Sequence, residues 1–98
     1  MENLGQGKVL LIEDDEKLAG LIAHFLSQHG FEPRVVHRGD EALAAFLAFK
    51  PKIVVLDLML PGQSGLQVCR EIRSVSDTPI VILTAKEDDL DHIPVSYT

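Results

Sequence analysis

The run IVVLD, Ile53 to Asp57, decides how the rest of the chain is read. Four apolar residues follow one another, three of them β-branched, and an acid ends the run. A half-exposed strand would alternate, and a buried helix would be longer, so the run predicts a strand covered on both faces. KVLLI at Lys8 to Ile12 and PIVIL at Pro79 to Leu83 have the same character, and Arg34 to His37 is a shorter strand.

Helical patterns lie between these runs. Leu18, Leu21, Ile22, Phe25 and Leu26 share one helix face, with Asp15 as a cap and Gly30 as a stop. Asp40 to Phe49 predicts a second helix with Leu43, Phe46 and Leu47 inward, ended by Pro51. Pro61 and Gly62 mark a loop. Ser64 to Arg73 predicts a third helix with Leu66, Cys69 and Ile72 inward, and Glu87 to Ile93 begins a fourth. The order βαβαβαβα predicts an α/β fold: a doubly wound parallel sheet with helices on both faces. Residues 1–7 read as a flexible N-terminus, 8–93 as the domain, and Pro94 to Thr98 as a tail without periodicity.

Composition narrows the function. The chain has 98 residues, enough for one domain, and a net charge of −6. That balance argues against direct binding of nucleic acid and favours a cation or a basic partner. The single cysteine, Cys69, excludes an internal disulfide and reads as a small core residue. Met1 to Gly7 lacks the basic-then-apolar pattern of a signal peptide, and no apolar run suits a membrane helix, so a cytoplasmic location is expected. His24, His29, His37 and His92 show no metal-binding spacing.

In open parallel sheets, ligands bind beyond the carboxyl ends of the strands. The first strand runs into Glu13, Asp14 and Asp15, the third into Asp57, and the fourth into Thr84 and Ala85. Taken singly, each acid reads as a turn or cap residue. Gathered in one crevice, they repel unless a cation neutralises them, and carboxylates suit a hard divalent ion such as Mg²⁺. Asp57 is the candidate nucleophile, since aspartate can form an aspartyl phosphate. Thr84 could donate a hydrogen bond to a phosphoryl oxygen, and Ala85 leaves room above the site.

The stretches VLLIEDDEKL (9–18), IVVLDLMLPGQSG (53–65) and PIVILTAKEDD (79–89) together resemble the receiver domains of response regulators, most closely the OmpR/PhoB type. The resemblance covers about Lys8 to Ile93 and implies a flavodoxin-like, CheY-like fold. It implies phosphorylation of Asp57 by a sensor histidine kinase. It also implies a Mg²⁺ site made by Asp14 directly, Glu13 through water, Asp57, and the backbone carbonyl of Met59. Thr84 would be the switch hydroxyl, beside Ala85, and Pro61, Gly62 and Gly65 would shape the loop after the third strand. Such a protein is a signalling switch in transcriptional regulation and not an enzyme.

After Ile93 the resemblance ends. It implies a fifth strand carrying a lysine that contacts the phosphoryl group, then a fifth helix; PVSYT matches neither and contains no lysine. The expectation is therefore a receiver short of its fifth strand and helix, with the outer edge of the fourth strand open and the first helix short of a packing partner. Two readings follow: a working phosphoacceptor, or a truncated fragment that binds its kinase or forms a homodimer, for instance by exchanging strands, without switching. A haloacid-dehalogenase-type phosphatase would need a second Asp two residues after the nucleophile, where Met59 stands. A flavin mononucleotide carrier would need a phosphate-cradling loop where EDDEK stands.

Overall fold

The computed structural model describes residues 7–83 and 95–97. The chain folds as β1 (Lys8–Ile12), α1 (Glu16–Gln28), β2 (Glu32–Val36), α2 (Ala42–Phe49), β3 (Ile53–Asp57), α3 (Gly65–Val75), β4 (Ile80–Leu83) and β5 (Val95–Tyr97). The strand order is β2-β1-β3-β4-β5. The first four strands are parallel, as the alternation of runs predicts. The fourth predicted helix, Glu87 to Ile93, lies outside the described residues.

Local signals set the helix ends. Asp15 Oδ1 accepts the Leu18 N–H at 3.1 Å and caps α1. Gly30, at φ 90°, lets the chain leave that helix in the left-handed region. Ser64 caps α3 by accepting the Gln67 N–H at 3.3 Å.

The two faces of the sheet are covered unequally. Leu10, Ile12, Val54, Leu56, Ile80 and Ile82 pack against α2 and α3 in one core, with Phe46, Phe49, Val68, Cys69 and Ile72 closing it. The alternate residues Val9 and Leu11 turn to the other face, where α1 contributes the buried Ala19. Leu18, Leu21 and Phe25 on α1 remain 42%, 68% and 58% exposed.

Three details differ from the sequence expectation. Leu47 and Leu66 point outward, while Ala42, Phe49 and Val68 are buried in their place. On α3 the buried stripe is Gly65, Val68, Cys69 and Ile72, spaced i, i+3, i+4, i+7, and Leu66 sits about 100° off it. Residues 95–97, expected in a tail, instead pair antiparallel with β4, matching Val81 to Tyr97, Ile82 to Ser96 and Leu83 to Val95. Open N–H and C=O groups on the β4 edge favour pairing with any extended segment, and valine and tyrosine suit a strand. The strand lies where the resemblance implies a parallel fifth strand, but it runs in the opposite direction.

Candidate functional site

Because β1 and β3 are neighbours in register, with Ile12 beside Leu56, the residues that follow them emerge side by side. The structure brings together Glu13, Asp14 and Asp57, each offering a carboxylate oxygen within 4.8 Å of the others. Asp15 is not part of this group and instead caps α1. Thr84 and Ala85, predicted to complete the site, lie outside the described residues.

Glu13 is the buried member, only 3% exposed. Its Oε2 accepts the Asp15 N–H at 3.0 Å. Burial pushes its pKa up to about 7, against the pull of that N–H; the neighbouring charge of Asp57, a hydrogen bond shared with it, and the charge of Asp14 push the same way. A carboxylate kept this far from ionisation marks a crevice in need of positive charge. Oxygen donors only, close together and mutually repelling, fit a hard divalent cation such as Mg²⁺.

Asp57 is half-buried at the end of β3, and its Oδ1 accepts the Met59 N–H at 3.1 Å. That bond fixes the rotation of the carboxylate and folds the chain back toward the crevice. The loop then meets α3 closely. A Cβ on Gly65 would stand 2.5 Å from both the Asp57 carbonyl oxygen and the Leu58 Cα, so only glycine fits there. The Gly65 N–H donates to the Leu58 carbonyl at 3.0 Å, closing the loop onto the start of the helix.

One contact was not legible in the sequence. His37, which shows no metal-binding pattern, reaches back from the end of β2 so that Nδ1 lies 2.8 Å from the Glu13 carbonyl oxygen. Its place just beyond the carboxyl end of a strand was the one available signal.

Comparison with known proteins gives the same picture. Residues 9–95 match the family model of the response regulator receiver domain. Over 85 residues the chain is 45% identical to the sensory transduction protein RegX3 of Mycolicibacterium smegmatis, a match covering 87% of this chain and 37% of that protein. The chain thus spans little more than a third of the curated relatives it matches. Among solved structures, the BeF3-activated receiver domain of Klebsiella pneumoniae RstA aligns with a TM-score of 0.79 and 40% identity, over 87% of this chain and 73% of that one. The response regulator TrrA of Thermotoga maritima, in complex with Mg(2+)-BeF, aligns with a TM-score of 0.77 and 34% identity, over 83% of this chain and 71% of that one.

Proposed function

The chain belongs to the response regulator receiver domain family, and from that premise we propose that it is a phosphoacceptor, taking a phosphoryl group from a sensor histidine kinase on Asp57 with Mg²⁺ at the strand ends. The observation that carries this reading is the gathering of Glu13, Asp14 and Asp57 within 4.8 Å at the carboxyl ends of β1 and β3. Asp14 and Asp57 would hold the ion directly, Glu13 through water, and Met59 through its backbone carbonyl. When bound, the ion supplies positive charge that offsets the carboxylates and the phosphoryl oxygens.

The residues divide the work. A carboxylate oxygen of Asp57 attacks phosphorus and forms the new O–P bond. The bond from phosphorus to the donor nitrogen breaks, and its electron pair stays on the donor imidazole. The Met59 N–H holds the Asp57 carboxylate in place during the attack. The hydroxyl of Thr84 donates a hydrogen bond to a phosphoryl oxygen, and the small side chain of Ala85 leaves room for it. The product is a signalling state and not a released metabolite.

Intact mass after incubation with Mg²⁺ and acetyl phosphate tests the reading. The expected result is a gain of one phosphoryl group, absent without Mg²⁺ and absent in Asp57→Asn. Label that persists in Asp57→Asn overturns the site. No gain in the native chain overturns phosphoacceptance and leaves a domain that binds its kinase without switching.

A further inference from the structure

His37 and the turn after it touch both loops of the acidic crevice from outside. The Glu13 N–H donates to the Val36 carbonyl at 2.9 Å, extending the parallel ladder one residue past β1 and β2. In a regular ladder the next rung would bring the N–H of residue 38 to the Glu13 carbonyl. Here the His37 ring lies in that place, with Nδ1 2.8 Å from the oxygen. A carbonyl only accepts, so Nδ1 carries the proton in this bond. With its rung supplied by a side chain, the backbone turns early. The Gly39 N–H then donates to the Pro61 carbonyl at 2.9 Å. The approach is close: a Cβ on Gly39 would stand 1.8 Å from the Gln63 carbonyl oxygen. Residues 37–39 therefore join the loop that carries Glu13 and Asp14 to the loop that follows Asp57.

We infer that His37 is a positioning residue for the cation site, its imidazole fixing the Glu13 carbonyl and so the direction in which β1 delivers Glu13 and Asp14 into the crevice. The inference rests on the Mg²⁺ reading of that crevice. It differs from simple satisfaction of a strand-end carbonyl in one respect: loss of the bond must weaken the cation site and not only the fold. Groups that orient metal ligands from behind commonly act in this way.

The test is a Mg²⁺ titration of the full chain and of His37→Asn, His37→Gln and His37→Ala, below their melting temperatures and with folding checked by circular dichroism. Asparagine places an N–H near the position of Nδ1, and glutamine places it one atom further out. His37→Asn is expected to stay within about twofold of the native affinity, and His37→Gln and His37→Ala to fall about tenfold. Two readouts need no metal. The ¹⁵N spectrum of the native ring should show the neutral form protonated at Nδ1. The Asp15 N–H, held by the Glu13 carboxylate, should exchange faster in the Ala and Gln variants and at the native rate in His37→Asn. Native affinity in His37→Ala, or equal losses in the Asn and Ala variants, overturns the inference while the metal reading stands. No Mg²⁺ uptake by the native chain overturns the metal reading and, with it, any role of His37 toward the cation.

Discussion

Glu13 concentrates the electrostatics of the molecule in one side chain. Its pKa in the fold is raised from 4.5 to about 7, so between those values the folded chain keeps a proton that the unfolded chain has lost. Stability from this group is therefore complete below about pH 4.5, falls as pH rises, and has lost about 3 kcal/mol above pH 7. Urea unfolding without Mg²⁺ should show that decline across the window, and Glu13→Gln should flatten it. Mg²⁺ should oppose it, because a bound cation favours the ionised carboxylate; at tenfold excess over Kd the ion should add about 1.4 kcal/mol and so offset about half of the decline. A native chain whose stability does not change across this window would show that Glu13 ionises freely. That Glu13, Asp14 and Asp57 follow neighbouring strands was legible, because strand ends can be read from apolar runs, and the structure gathers the three there. The 3% exposure of Glu13 and its bond to His37 were not legible, since both depend on residues more than 20 positions away.

At the scale of elements, the strands were easier to read than the helix faces. VLLI, IVVL and IVIL admit one interpretation, whereas α2 reads ALAAFLAF, apolar on every side, so periodicity could not separate Phe46 from Leu47. On α3 the pattern is present, but the small Gly65 and Val68 form its inward edge where the larger Leu66 is the more apolar candidate. The difference has measurable consequences. Val68→Ala, at 0% exposure, should cost about 1–3 kcal/mol in chemical denaturation. Leu21→Lys, at 68% exposure, should change stability by less than about 0.5 kcal/mol. Gly65→Ala tests how α3 meets the site. Its new Cβ would collide with backbone at 2.5 Å, so either α3 or the Asp57 loop must shift. The expected loss is about 2 kcal/mol, together with weaker Mg²⁺ binding. A Gly65→Ala chain with native stability and native affinity would mean that the helix start has room to move.

For the whole molecule, the site sits at the carboxyl ends of two interior strands of the sheet, β1 and β3, away from its edges. The carboxylates leave β1 and β3, whose inner residues are fully buried under α2 and α3, while the face carrying α1 leaves Ile53, Val55, Val81 and Leu83 only half-covered. The crevice therefore depends least on the elements at the rim, and β5 is the clearest such element. The Val54 N–H donates to the Pro79 carbonyl, so alternation along β4 turns the N–H and C=O of Ile82 toward the outer edge. Ile82 is matched with Ser96, so these two residues exchange both ladder bonds. The sequence did not announce this pairing, because a three-residue strand carries no period; its partner edge was the only signal. Ser96→Pro removes the donor to Ile82 and should open the β4 edge. Amide exchange should then accelerate at Ile82 and remain slow at Val54 and Leu56, and Mg²⁺ affinity should hold within about twofold, since no bond to the crevice is lost. Exchange at Ile82 that is already as fast in the native chain as in Ser96→Pro would show that β5 does not pair in solution. Loss of Mg²⁺ affinity in Ser96→Pro would show instead that the rim and the crevice form one cooperative unit.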